Sequence, residues 1–185
     1  YVATDQTGAI YRVGQLSATS DIDPSSAVFA ITNASLGTGF FISKNTGSGA
    51  LVWGKTITTP AGSSAGISVT NTDSNGNTYV VGGFIGTVDF DPSANTANMI
   101  SSSSTVADLY IAKYDSNGNY VWSKQIIGTI GARRKLVFDT LGNIYFTGTF
   151  SGNNPIDVDP SANVFNLTPN GLSNTYVIKF NTQGD

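Results

Sequence analysis

The sequence contains no cysteine and no histidine. The first absence excludes disulfides, thiol nucleophiles and thiolate metal sites, and the second removes the most common proton shuttle at neutral pH. Charged residues are also scarce, at 11% of 185 positions. No apolar run is long enough to span a membrane. The composition therefore disfavours an enzyme and excludes a membrane-spanning helix.

Positive charge is both scarce and dispersed. The formal net charge is -3, whereas a nucleic-acid partner calls for a clustered basic face. The only basic cluster is Arg133-Arg134-Lys135, which we interpret as a solvated flank of a strand. Arg133, Arg134 and the Asn-Asn-Pro insertion at 153–155 remain weak candidates for a ligand contact outside the repeated pattern. We predict no nucleic-acid partner.

Apolar, hydroxyl and turn-forming residues are abundant instead. About two fifths of the chain is hydrophobic (39%), and there are 21 glycines. Many β-branched and aromatic residues, interrupted by Asn, Asp, Ser and Gly, are typical of short strands joined by turns. The composition predicts an all-β fold with a sizeable core.

One polar motif occurs three times. Asp-x-Asp-Pro-Ser begins at Asp21, Asp89 and Asp157, at intervals of 68 residues. A fixed period of this length indicates an internal structural repeat.

Other markers recur in the same order. Trp53 and Trp122 each follow an aligned lysine, Lys44 or Lys113, by nine residues. A turn of the type Asp-x-x-Gly, followed by a strand with tyrosine, occurs as DQTGAIY (5–11), DSNGNTY (73–79) and DTLGNIY (139–145). So many markers at nearly constant spacing are hard to obtain by chance, and we conclude that the repeat is real.

Each repeat predicts four short strands. In the middle unit they are expected at 66–70, 77–84, 109–114 and 120–127. DSNGN stands between two of these strands at 73–77 and again at 115–119, where Asp and Asn favour a turn and Gly supplies positive φ. The strands TYVVGGF and LYIAKY are apolar on both faces, as in a sheet covered on both sides.

A four-stranded antiparallel meander with a neighbour on each face is a β-propeller blade. We therefore predict an all-β fold built from blades of about 68 residues, with units at 1–65, 66–133 and 134–185. A parallel β-helix has far shorter rungs, and a sandwich domain needs more strands.

The third unit lacks the strand that carries tryptophan in the others. NTQGD at its end aligns with DSNGN at 115–119, after which Trp122 follows Gly118 by four residues. We expect the 185 residues to be part of an incomplete propeller, continued by a strand of the type Val-Trp-x-Lys or completed by a neighbouring copy. The predicted partners are therefore further blades of the same chain or of other copies.

The stretch DSNGNTYVVGGFIGTVDFDPSANT, with DLYIAKYDSNGNYVWSKQIIG after it, resembles the bacterial β-propeller repeat usually abbreviated SBBP. The resemblance covers nearly three tandem copies, and the first departs most, with Thr7-Gly8-Ala9 in its turn and Asn45-Thr46-Gly47 in place of an aspartate turn. It implies a propeller exported to the cell surface or the extracellular space. It implies no activity, since propellers host many functions.

The Asp-x-Asp-Pro motif has two interpretations. Aspartates at i and i+2 of an extended strand face the same way, so each pair could present two carboxylates to Ca²⁺, with backbone carbonyls completing the site. Alternatively, the first Asp accepts backbone N–H bonds and Asp-Pro fixes a structural corner, which we favour. The possible calcium ligands are Asp21, Asp23, Asp89, Asp91, Asp157 and Asp159. No other cofactor is predicted.

Two functions that are not enzymatic remain. Equivalent copies of one motif suit a structural or adhesive scaffold, because an active site is normally singular. The alternative is a binding propeller that recognises a glycan or a surface protein. We expect Trp and Tyr at fixed repeat positions to pack between blades. The scaffold is the preferred interpretation, and no catalytic residue is predicted.

Overall fold

The structure is a computed structural model that describes residues 1–16, 18–33, 37–128, 130–151, 155–161 and 163–185, and only the backbone of 130–134. These residues form strands and turns, and none of them forms a helix that could cross a membrane. The strands in chain order are β1 Val2–Thr4, β2 Ile10–Leu16, β3 Thr19–Asp21, β4 Ala30–Thr32, β5 Gly39–Asn45, β6 Leu51–Ile57, β7 Ser64–Ala65, β8 Val69–Thr72, β9 Thr78–Ile85, β10 Thr87–Asp89, β11 Asn98–Ile100, β12 Asp108–Tyr114, β13 Tyr120–Ile126, β14 Ile130–Phe138, β15 Ile144–Phe150, β16 Ile156–Asp157, β17 Asn166–Leu167 and β18 Asn174–Phe180.

The strands form three antiparallel meanders. The first sheet has the order β1-β2-β5-β6, and the third has the order β14-β15-β18. The middle sheet has the order β8-β9-β12-β13, with the short β7 pairing further along β9. All four strands predicted for the middle unit are therefore present, and the all-β class is confirmed. The propeller ring stays a prediction.

The turn predicted at 73–77 is also confirmed. The amide of Asp73 donates to the carbonyl of Asn77, and the amide of Gly76 donates to the carbonyl of Asp73. Gly76 has φ of 81°, which a residue with a Cβ adopts only at a cost. The turn is therefore specified by hydrogen bonds within it and by the glycine at position 76.

A small hairpin stands between the second and third strands of each meander. The three hairpins are β3–β4, β10–β11 and β16–β17, and each encloses one copy of the Asp-x-Asp-Pro motif. The sequence analysis did not predict these hairpins, because strands of two or three residues carry too little alternation to be recognised.

Two apolar interfaces hold the three sheets in a stack. Residues of the first sheet pack on one face of the middle sheet, and they include Val13, Phe40, Ile42 and Ile57 against Val80, Phe84, Tyr110 and Tyr114. The other face of the middle sheet packs on the third sheet, through Val81, Leu109 and Ile111 against Ile144, Phe146, Tyr176 and Ile178. Each fully buried side chain of this size contributes about 1.5–3 kcal/mol. The burial of β9 and β12 on both faces confirms the prediction made from their apolar runs.

A tryptophan of each full meander lies on the turn of the next sheet. The indole nitrogen of Trp53 donates to the carbonyl of Ser116 at 3.2 Å, and Trp122 donates to Thr182 at the same distance. A Cβ added to Gly118 would lie 2.8 Å from the Trp53 ring. Glycine is therefore needed there both for its φ of 77° and for the space. The tryptophans lie between sheets, as predicted.

The two outer faces of the stack are more polar than the two inner interfaces. The outer faces carry Arg12 and the fully buried Ser43 in the first sheet, and Thr147 and Thr175 beside the exposed Val177 in the third sheet. The corresponding repeat positions in the middle sheet hold Val80, Ala112, Val81 and Leu109, all buried. The copies have thus diverged in composition at the faces that no neighbouring sheet covers in this stack.

The turn glycine adopts a positive φ and leaves space for a tryptophan, and substitution can separate these two roles. Gly49 and Gly118 occupy the same turn position, with φ of 99° and 77°, but only Gly118 has a neighbouring tryptophan within 4 Å of an added Cβ. We expect Gly49→Ala to cost about 1–2 kcal/mol through backbone strain alone. Gly118→Ala should cost more, since it also displaces Trp53. Urea unfolding of both variants measures the difference, and equal losses would contradict the importance of this contact.

Candidate functional site

The turn between β8 and β9 is organised by one carboxylate. Oδ1 of Asp73 accepts hydrogen bonds from the backbone amides of Asn75 and Asn77, both at 2.9 Å. Oδ2 accepts from the side-chain amide of Asn77 at 2.8 Å and from the hydroxyl of Tyr79 at 3.3 Å. In the other sheets, aspartates in the same position accept from turn amides and from a tyrosine, and they are Asp5 and Asp139.

A lysine lies over that tyrosine. Nζ of Lys113 is 5.3 Å from the centroid of the Tyr79 ring and donates to the carbonyl of Thr182 in the third sheet at 3.2 Å. Burial lowers the pKa of Lys113, and the charge of Asp73 partly offsets this. The same cation–π pair is repeated by Lys44 on Tyr11 and by Lys179 on Tyr145.

The Asp-x-x-Gly turns of the three sheets converge on a polar cavity of about 630 Å³. Its walls include Gln6 from the first sheet, Asp73 and Lys113 from the middle sheet, and Asp139 and Thr182 from the third. This cavity is the place where side chains from all three sheets meet around one space. It is the candidate functional site.

The carboxylates of this cavity are already engaged in the fold. Both oxygens of Asp73 and both oxygens of Asp139 accept hydrogen bonds within their own turns. Glycoside hydrolysis needs one acid to donate a proton and a second to act as base or nucleophile. The two carboxylates are engaged in the same way, so their hydrogen bonds do not supply that difference.

Hydrogen bonding favours the charged form of two turn aspartates, Asp5 and Asp139. The side-chain amide of Asn143, with backbone amides of the turn, keeps the pKa of Asp139 below its usual value. The hydroxyl of Thr7 and the amides of its turn do the same for the pKa of Asp5. The turns therefore use charged acceptors, which form stronger hydrogen bonds than neutral ones.

The Asp-x-Asp-Pro motif forms a hydrogen-bonded corner inside each small hairpin. Oδ1 of Asp89 accepts from the amides of Asp91 at 3.0 Å and Ala97 at 2.8 Å, and Asp91 accepts from Ser93 at 2.9 Å. The equivalent aspartates of the other hairpins make the same bonds, and they are Asp21, Asp23, Asp157 and Asp159. These bonds are the ones expected of the structural corner.

The two carboxylates of the motif do not both lie in a strand. Asp89 is the last residue of β10, and Asp91 already lies in the loop. The strand ends there because the carboxylate of Asp89 bonds to the amide two residues on, and Pro92 has no amide to continue a ladder. The first and third hairpins end in the same way, at Asp21 and Asp157.

Within the described part of the chain, no group of three or more acidic side chains is placed to hold a metal ion. Calcium at the corners stays the alternative hypothesis, and such a site would need mainly backbone oxygens. The side chains of Arg133 and Arg134 and most of the 153–155 insertion lie outside the described residues.

One buried carboxylate was missed by the sequence analysis. Asp108 is fully buried and accepts hydrogen bonds from Ser102, from the side chain of Gln125 at 2.8 Å and from the amide of Gly128 at 3.0 Å. It joins the start of β12 to the end of β13. Its repeat equivalents are Gly39 and Asn174, so no periodic pattern marks it.

The lowered pKa values predict loss of stability in acid. A carboxylate whose pKa is lower in the folded state than the value of about 3.9 in the unfolded state stabilises the fold fully above about pH 5. This contribution is lost as the pH falls through about 4 toward the folded value. We expect the urea midpoint to fall between pH 6 and pH 3, and to fall less in Asp139→Asn. A midpoint independent of pH would contradict the role of these bonds.

The corners predict a clear result with calcium. Because backbone amides already bond to Asp89 and Asp91, we expect the melting temperature to be the same in Ca²⁺ and in a chelator. A ligand that binds only the folded state would raise it. If calcium raises the melting temperature and Asp91→Asn removes the increase, calcium binds at the corners. The hydrogen bonds would then not be the only interactions that stabilise them.

Comparison of the chain with protein-family models gives no match, and comparison with curated protein sequences gives none either. Function is therefore inferred from the geometry of the repeat, the corners and the cavity.

Proposed function

We propose that the chain is a non-enzymatic scaffold, made of successive blades of a β-propeller in an exported bacterial surface or extracellular protein. One observation carries the proposal: the conspicuous repeated side chains are used to hold the sheets themselves. Asp73 closes its own turn, while Trp53 and Lys113 each donate a hydrogen bond to the next sheet. Side chains used alike in successive copies serve the architecture common to those copies.

The propeller arrangement is supported by the relation between successive sheets. Propeller blades are four-stranded sheets repeated around a central channel. The first strands of the middle and third sheets lie side by side, where the side-chain amide of Asn71 donates to the backbone carbonyl of Leu136 at 2.8 Å. The first turns of all three sheets also meet at one cavity. Both features are expected if corresponding strands surround a common axis.

The absence of an enzymatic function is supported by the residues that are present. The chain has no histidine or cysteine, and the aspartates described above are acceptors in turns and corners. Location outside the cell is supported by the resemblance of the repeat to SBBP repeats of secreted and surface proteins. Such a scaffold would act as a spacer or an adhesive surface.

A second candidate function is recognition of a glycan at the polar cavity. Beside each constant turn aspartate, a residue that differs between copies lines the cavity: Gln6, Ser74 and Thr140. Variable hydroxyl and amide groups on a constant frame suit selective hydrogen bonding to a polyhydroxylated ligand, because specificity needs a few well-placed polar groups.

A glycan array distinguishes the two candidates. The scaffold function predicts uniformly blank binding by the wild-type chain at micromolar concentration. The matched control is the triple variant Gln6→Ala, Ser74→Ala, Thr140→Ala, which leaves the turn aspartates and glycines intact. Binding by the wild type that the triple variant loses, with unchanged melting temperature, would instead establish recognition at the cavity.

A further inference from the structure

The third sheet exposes a position that the other two sheets bury. Val177 in the middle of β18 is 68% exposed. Its equivalents in the repeat, Ile42 in β5 and Ile111 in β12, are 0% and 1% exposed. Ile42 and Ile111 pack against the next sheet of the stack, whereas Val177 lies on the outer face of the third sheet, on the strand that forms its edge.

At this edge, β5 and β12 each carry a further strand. β6 and β13 pair with them in the same register, so that Lys55 lies opposite Ile42 and Lys124 lies opposite Ile111. A bulge occurs at the same point in both pairs, directly after the residue opposite the tryptophan. The described residues place no strand along the corresponding edge of β18.

A groove of about 280 Å³ runs along that edge, between β18 and the hairpin above it. Val158 and Phe165 of the hairpin line the groove. In the first sheet the equivalent pair, Ile22 and Phe29, lies over Gly54 of β6 so closely that an added Cβ would be 2.4 Å from Ile22. The groove therefore has the form of the space that a small residue of β6 fills.

The third sheet also has the lysine and the tyrosine that lie beside the tryptophan in the other sheets. In the first sheet, Trp53 lies opposite Lys44 and meets the ring of Tyr11 edge to face, at 6.3 Å between centroids. In the third sheet, Nζ of Lys179 already lies 5.5 Å from the Tyr145 ring centroid, as in the other copies. The third sheet thus provides the lysine–tyrosine side of the indole contact, whereas the described residues include no further sheet whose turn would cover the other side, as the turn at Gly118 does for Trp53.

We propose that the β18 edge and its groove form an acceptor site for an extended polypeptide segment with the residue pattern of β6 and β13, apolar-Val-Trp-small-Lys. Such a segment would add a fourth strand by main-chain hydrogen bonding, while its tryptophan and small residue give specificity. The inference concerns this edge alone and does not depend on the proposed scaffold function.

An intact second copy of the chain does not fit this role. Its two segments with this pattern, β6 and β13, are already paired with β5 and β12. Two β18 edges could still pair with each other, because an unpaired edge is a template for another strand. Such a dimer would bring no tryptophan to the Lys179–Tyr145 pair, because β18 contains none.

The test uses a fluorescein-labelled peptide of residues 50–58, ALVWGKTIT, titrated with the full chain and followed by anisotropy. We expect saturable binding at one site per chain. Trp53→Ala in the peptide should weaken binding by on the order of tenfold or more, since buried tryptophans dominate contacts of this kind. Gly54→Val in the peptide should also weaken it, although valine raises strand propensity, because the space under Phe165 is small.

Variants of the chain give a matched pair. Val177 would lie opposite the lysine of the peptide, so Val177→Lys should weaken binding and Val177→Glu should preserve or strengthen it. Both should fold, because the side chain is exposed, and circular dichroism checks this. Absence of binding, equal binding of wild-type and Gly54→Val peptides, or equal affinity of the two Val177 variants would overturn the proposal.

Sedimentation velocity without peptide tests whether a second copy of the chain occupies the β18 edge. We expect a monomer at concentrations where the peptide binds. A dimer that the peptide fails to dissociate would show that a second copy covers the edge, and would overturn the assignment of the site to a free segment.

Discussion

The contact between a tryptophan and the turn glycine of the next sheet sets the spacing of the stack. Trp53 reaches Gly118 because that glycine has no side chain, and its indole bonds to a carbonyl of the same turn. Trp53 therefore packs on the turn, donates a hydrogen bond to it and requires its residue 118 to be glycine. With this contact in place, the aliphatic side chains of adjoining sheets meet at the separation at which they exclude water.

Aspartate side chains make many of the structural hydrogen bonds in a chain with few charges. The same residue type closes the first turn of each sheet, closes the corner of each small hairpin and ties β12 to β13. Each of these carboxylates accepts hydrogen bonds from backbone amides that the strand ladders leave unpaired. An amide that is shielded from water and lacks a partner would destabilise the fold. These carboxylates therefore stabilise irregular backbone at the turns, the corners and the end of β13.

Local features could be predicted from the sequence, whereas features that depend on distant partners could not. The turn at Gly76 follows from its immediate neighbours, and the double burial of β9 follows from its apolar run. The hairpin around Asp89 was missed because its strands are too short to show a period. Asp108 was missed because its partners come from 6 to 20 residues away and its repeat equivalents are different residues.

The polar outer faces have a consequence for how many molecules behave together. Sheets that stack in one direction, each presenting a different face to the next, form a heterologous interface that can extend into a fibre. Arg12 and Thr175 stand where the internal interfaces have buried apolar residues, so joining one stack end to end with another would desolvate a guanidinium and hydroxyls. Divergence between the copies therefore opposes end-to-end stacking of two such segments through these two faces.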